Sequence, residues 1–151
     1  PMLEKARKKL ERGPCCDRYT LQHDDIVNAK FSEASVVFML FTLQFVRPLH
    51  RDELIRRIYD GLVDGGCLLL AEKVLAEDTE LSRLFIEVYY DFKRRNHYSD
   101  LEITQKREAL ENVLVPYRVE ENLSLLRRNG FELVDVFFKW YNFAGFLGVK
   151  A

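Results

Sequence analysis

The 151 residues contain only three cysteines, four prolines and seven glycines, and lack an apolar run long enough to cross a bilayer. Each scarcity excludes a class of protein. Cys15 and Cys16 are neighbours and Cys67 stands alone, so neither a Cys-x-x-Cys metal pair nor an even disulfide framework can be drawn. A reducing, cytoplasmic setting is expected. The longest apolar stretches, Val36 to Phe41 and Cys67 to Ala71, fall far short of the roughly 18 residues of a spanning helix and have the length of buried strands. Charge of one sign is also missing: Lys+Arg number 23 against Asp+Glu 24, for a net charge of −1. Nucleic-acid binders carry a clearly basic surface, so neither nucleic acid nor membrane is expected as a direct partner. No glycine-rich phosphate loop, Gly-x-Ser-x-Gly elbow or His-Glu-x-x-His motif occurs, and His23, His50 and His97 have no neighbours at ligand spacing. Pro1-Met2-Leu3-Glu4-Lys5 has no charged lead followed by an apolar stretch, which is not the pattern of a signal peptide.

What is present is enough apolar material, 48% of residues, for one core, and residues 1–151 are expected to form a single domain. A helix is predicted over Pro1 to Arg12, ended by Gly13-Pro14. Tyr19-Thr20-Leu21-Gln22-His23 reads as a short strand leading into Asp24-Asp25. Ser35 to Thr42 is nearly continuous in apolar residues, as a parallel strand buried on both faces requires. Leu54, Ile55, Ile58 and Leu62 have helical spacing over Arg51 to Leu62. Asp64-Gly65-Gly66 reads as a turn, and Gly66 to Val74 as a second buried strand. The result is a βαβ unit with a right-handed crossover. Two helices follow, Glu80 to Lys93 and one capped by Ser99 with Glu102 at the capping-box position, then a third over Val119 to Arg128 stopped by Asn129-Gly130. From Phe131 the period changes to that of strands, with a hairpin near Asn142 to Gly145. The fold class expected is a doubly wound α/β sheet, mostly parallel, closed by an antiparallel carboxyl-terminal edge.

In such a sheet ligands sit beyond the carboxyl ends of the strands, which places Asp24-Asp25 and Thr42 to Gln44 along the crevice. A carboxylate there accepts hydrogen bonds from an adenine amino group or a ribose, or else caps a helix or loop. On the fourth helix, Lys106 and Arg107 occupy successive positions; a guanidinium clamps a carboxylate bidentately, unless Arg107 forms a surface ion pair with Glu108 or Glu111. Phe137, Phe138, Trp140, Tyr141, Phe143 and Phe146 form an aromatic cluster suited to a core or subunit interface more than to a substrate cage.

Pro1-Met2, Asp25-Ile26, Phe41-Thr42-Leu43-Gln44-Phe45, Glu72-Lys73, Glu77-Asp78-Thr79, Phe92-Lys93-Arg94, Gln105-Lys106-Arg107, Ala109-Leu110-Glu111-Asn112 and Asn142-Phe143 resemble the carboxy-S-adenosyl-L-methionine synthases along the whole chain. The resemblance implies a Rossmann-like class I methyltransferase fold and a homodimer. It also implies a transferase that converts S-adenosyl-L-methionine and prephenate into carboxy-S-adenosyl-L-methionine, phenylpyruvate and water. The product then serves tRNA wobble-uridine modification. By the same resemblance Asp25 and Ile26 hold the adenine, Met2 packs on it, and Arg107 binds the carboxylate of the modified ligand. Leu40 stands where the family usually has a ligand-binding asparagine, and it cannot supply that hydrogen bond. The family's first strand, its glycine-rich turn and the acid after its second strand have no counterpart here. The chain is therefore expected to be the carboxyl-terminal part of the fold, inactive alone, with a gap in the sheet between Tyr19–His23 and Ser35–Thr42. No catalytic residue is assigned. Two other readings compete: an ordinary S-adenosylmethionine-dependent methyltransferase of a small molecule or RNA, and a non-catalytic fragment that only dimerises.

Overall fold

The computed structural model describes residues 1–14 and 17–151, so Cys15 and Cys16, which entered the reading of redox setting, lie outside the described residues. Helix α1 (Met2–Leu10) buries no residue. A stretch of turns and irregular backbone then leads to strand β1 (Ala34–Leu40), a 3-10 turn (Leu43–Phe45) and helix α2 (Pro48–Gly61), which has proline in its first turn, where a missing N–H costs nothing. Strand β2 (Leu62–Leu75) pairs in parallel with β1, from Val36 opposite Cys67 to Leu40 opposite Ala71. The βαβ unit of the sequence is thus present. The turn expected at Asp64 to Gly66 is absorbed into the start of β2: Ala34 faces Leu62 while Val36 already faces Cys67, and Gly65 takes up the surplus at φ +74°.

Helices α3 (Thr79–Arg95) and α4 (Asp100–Leu110) follow. Asp78 caps α3 by accepting from the N–H groups of Glu80 and Leu81. Ser99 caps α4 with the reciprocal box: its Oγ accepts from Glu102 N–H and its own N–H donates to the Glu102 carboxylate at 2.8 Å. A two-residue strand β3 (Tyr117–Arg118) pairs with the end of β2, and α5 (Val119–Arg128) leads to β4 (Leu133–Trp140) and β5 (Phe143–Val149).

The sheet order is β1-β2-β5-β4, with β5 antiparallel to both neighbours. The antiparallel strand is therefore interior, where the sequence reading had it at the edge. Composition explains the difference: β5 is apolar with small residues and mostly buried, while β4 carries Asp135 and Lys139 and bears the edge. The hairpin turn is Tyr141-Asn142, one step earlier than expected. One face of the sheet buries Leu68, Leu70 and Phe146 against Leu54, Ile55 and Ile58 of α2 and Leu125 and Leu126 of α5. Gly130, at φ +112°, lets the chain leave α5 beside the Tyr59 ring, where a Cβ would sit 2.9 Å from ring carbons.

One expected strand does not form. Tyr19–His23 has no regular structure, because among the described residues no strand lies beside it to complete its hydrogen bonds. The gap foreseen inside the sheet is accordingly replaced by an open edge on β1, whose Val36, Phe38 and Leu40 are exposed, Phe38 at 66%.

Candidate active site

The carboxyl ends of β1 and β2 converge on a turn that a buried carboxylate holds in place. Phe41 leaves β1 at φ +53° while its N–H still donates to Ala71 O. Glu72, on β2 and 2% exposed, then accepts from three consecutive backbone N–H groups: Thr42 at 3.1 Å, Leu43 at 2.9 Å and Gln44 at 3.0 Å. Burial pushes the Glu72 carboxyl up to about 7, against the downward pull of those N–H groups and of Arg51. Gln44 extends the lattice: its Oε1 accepts from Lys73 N–H and its carbonyl from Val115 N–H, both at 2.9 Å. Buried Arg51 donates to the carbonyls of Val46 and Val115 and lies 4.1 Å over the Tyr117 ring. The backbone of residues 41–46 is thus fixed from beneath.

Above it open two cavities that share Phe41 and Phe45. The larger, about 870 Å³, lies between the turn, the start of β5 and helices α3 and α4. Its cations are Lys73, Lys93, Lys106 and Arg107, and its apolar walls include Phe41, Phe45, Tyr89, Leu110 and Phe143. Burial and the neighbouring Lys93 and Lys106 lower Lys73; burial and Lys106 lower Lys93. The surface ion pair considered for Arg107 does not form with either Glu108 or Glu111 among the described residues, leaving its guanidinium available to a ligand anion.

The smaller cavity, about 540 Å³, has Asp25 and Ile26 on its rim with Thr42, Val46, Arg47 and His50 opposite. Asp25 is held in a local turn, its Oδ1 accepting from Val27 N–H at 3.0 Å, and Arg57 on α2 ties the loop down through Val27 O. A carboxylate acceptor beside an aliphatic side chain and two aromatic rings suits a flat, amino-bearing base.

Asp25, Ile26 and Arg107 therefore stand around adjoining cavities. Met2, 82% exposed, and Leu40, 56% exposed, line neither. The aromatic cluster divides: Phe146 is core, Phe143 lines the larger cavity, Trp140 packs against Tyr89 and Phe92 of α3, and Phe137 and Phe138 are exposed. Sequence reasoning gave no structural role to Glu72, Lys73 or Lys93. Lys93 had a signal, since it continues the row Leu81, Phe85, Tyr89 at four-residue steps along one helix face. Among the described residues no cluster of His, Cys, Asp and Glu could hold a metal ion, and no helix is long and apolar enough to cross a membrane.

By fold the chain is an α/β protein of the methyltransferase class. It superposes on the S-adenosylmethionine-dependent methyltransferase SibL with a TM-score of 0.65 at 20% identity, covering 98% of this chain and 40% of that one. It matches an O-methyltransferase family 2 protein from Planctomyces limnophilus with a TM-score of 0.67 at 21% identity, covering 99% and 40%. No protein-family model matches the chain. Its sequence relatives are the carboxy-S-adenosyl-L-methionine synthases, as the resemblance held. The chain is 53% identical over 150 residues to the enzyme of that name from Methylococcus capsulatus, and 49% identical over 150 residues to that of Desulfotalea psychrophila. These alignments take in 99% of this chain, which spans about 62% and 61% of the length of the two relatives.

Proposed function

We propose that the chain is the carboxyl-terminal part of a carboxy-S-adenosyl-L-methionine synthase, forming its product from S-adenosyl-L-methionine and prephenate. The observation that carries this reading is the placement of Arg107, free of any partner among the described residues, in a cation-rich cavity adjoining the one that holds Asp25 and Ile26. Transfer of a plain methyl group presents no charge to pair with a guanidinium, whereas a carboxylated sulfonium ligand does. Asp25 accepts from the base or ribose, Ile26 and the rings of Phe41 and Phe45 sandwich it, and Arg107 orients the carboxylate. S-adenosyl-L-methionine supplies the sulfonium methyl carbon that becomes carboxylated. The lysines around the cavity attract and hold the anionic co-substrate, and the reaction is one of placement, with no side chain assigned as acid or base.

The same proposal includes a homodimer, use of the product in tRNA wobble-uridine modification, and a cytoplasmic setting. The bare edge and apolar outer face of β1 support a continuation of the sheet there, and exposed Leu133 and Phe138 on β4 support contact with a second copy.

The test is incubation of the complete synthase, amino-terminal part included, with S-adenosyl-L-methionine and prephenate, followed by mass spectrometry of the nucleosides. A carboxylated sulfonium nucleoside that disappears in Arg107→Ala is the expected result. Methyl transfer to an acceptor without prephenate would replace this reading by that of an ordinary methyltransferase. Failure to bind any adenosyl ligand would leave the non-catalytic reading.

A further inference from the structure

Among the described residues, Lys93 is the one buried lysine, 8% exposed, and no acidic group meets its ammonium. The other buried charges of the core are answered within the chain: Glu72 by backbone N–H groups, Arg51 by carbonyls. Lys93 has only ring faces, Tyr89 at 4.6 Å and Tyr90 at 5.8 Å. Half-buried Lys73 is in the same position, over Tyr89 at 5.1 Å and Phe143 at 5.7 Å. A buried ammonium without a counter-ion is costly, and two that repel each other are more so. The one carboxylate lining the cavity, Glu111, is exposed and pairs with none of its cations. Arg107 and Lys106 are exposed on α4 while Lys93 is buried and Lys73 half-buried, so the cations grade inward from solvent, with Lys106 close to both buried-side lysines.

We propose that Lys73 and Lys93 form a second anion subsite, separate from Arg107, so that the cavity selects ligands carrying two carboxylates on a ring-bearing skeleton. One carboxylate pairs with Arg107 at the rim. The other enters between the two lysines, where it replaces their mutual repulsion by two attractions, while Phe41, Tyr89 and Phe143 pack against the ring. The proposal deepens the synthase reading and rests on it for the natural ligand, since prephenate is a dianion built in this way. Lys73 and Lys93 then decide between a dicarboxylate and a monocarboxylate, a choice that Arg107 alone cannot make.

The experiment measures binding of two probes to the complete protein, amino-terminal part included, by titration calorimetry: 2-phenylsuccinate, with two carboxylates, and 3-phenylpropionate, the same skeleton with one. The wild type is expected to prefer the dianion about tenfold or more, the worth of one charge-assisted hydrogen bond. Lys93→Met and Lys73→Met should each abolish most of that preference, Lys93→Arg should retain it, and Arg107→Ala should weaken both probes alike. Thermal unfolding of each variant verifies that it is folded, and the arginine replacement keeps the test decisive should a methionine variant fail. Equal affinity for the two probes in the wild type, or an undiminished preference in both methionine variants, would overturn the subsite. Turnover of prephenate, followed in the same preparations, separates the two claims. Turnover without dianion preference overturns the subsite and leaves the synthase; dianion preference without turnover does the reverse.

Discussion

Glu72 and Lys93 are both buried, both charged and both close to the same cavity, yet their surroundings are opposite. The Glu72 carboxylate accepts from the N–H groups of Thr42, Leu43 and Gln44, while the Lys93 ammonium, among the described residues, meets only aromatic rings. A buried charge whose partners belong to the chain holds the fold together. On the reading proposed above, a buried charge whose partners are missing marks the place of a ligand.

The largest effect that tests this contrast is removal of the satisfied group. Glu72→Ala orphans three N–H groups, those of Leu43 and Gln44 buried and that of Thr42 part-buried, and should cost about 3–5 kcal/mol, measured by denaturant unfolding, with loss of ligand binding in both cavities. A loss below about 1 kcal/mol would mean that water reaches the turn, and that Glu72 is not what shapes it.

Next comes the pH dependence of the same residue. Its carboxyl is raised from 4.5 to about 7, so between those values the folded chain binds more protons than the unfolded one. The contribution is full below the unfolded value and fades as pH rises through the folded one. Stability should therefore fall from pH 4.5 toward 7 by up to about 3 kcal/mol on this account. Glu72→Gln should flatten that slope; an unchanged slope would assign it to another group.

Lys93→Met reverses the sign. Replacing an unanswered ammonium by a thioether of similar shape should raise stability by about 1 kcal/mol, visible as a higher Tm, while the dianion is bound less well. A lower Tm would show that the ring contacts of Lys93 outweigh its burial. The smallest effect belongs to a pair outside the contrast: Arg128 and Asp52 form a two-pronged ion pair, with bonds of 2.5 and 2.8 Å, but both side chains are about half exposed. Arg128→Ala should cost only about 0.5 kcal/mol in thermal unfolding, and less at high salt.

Much of the frame is legible in local pattern. The β1-α2-β2 unit follows from two apolar runs around a helical stripe, and the start of α4 from Ser99 and Glu102, because these signals act over one or two turns of chain. What failed were features set at long range. Tyr19–His23 has the composition of a strand, but a strand needs a neighbour, and local sequence carries no record of whether one is present. The position of β5 was misread because an edge and an interior strand differ in what flanks them, not in their period. At the site, Asp25 and Arg107 were singled out by strand-end position and helix spacing and given roles by resemblance, and they line adjoining cavities. Glu72 stayed hidden because its partners are backbone N–H groups, which every residue type except proline offers. Lys93 was masked by Arg94 and Arg95: a basic run in the last turn reads as a complement to the helix dipole, although its first member lies on the inward row.

Phe41 and Phe45 are all that the two cavities have in common, and both belong to the segment that Glu72 pins. The partition is thus a pair of rings on a stiff support. On the proposed reading, a nucleoside that shifted these rings from one side would change the width of the other chamber, and thermodynamic reciprocity would then require an anion in that chamber to alter nucleoside affinity by the same factor. If the two proposed co-substrates occupy these chambers, each is felt by the other through a party wall, without any domain having to move.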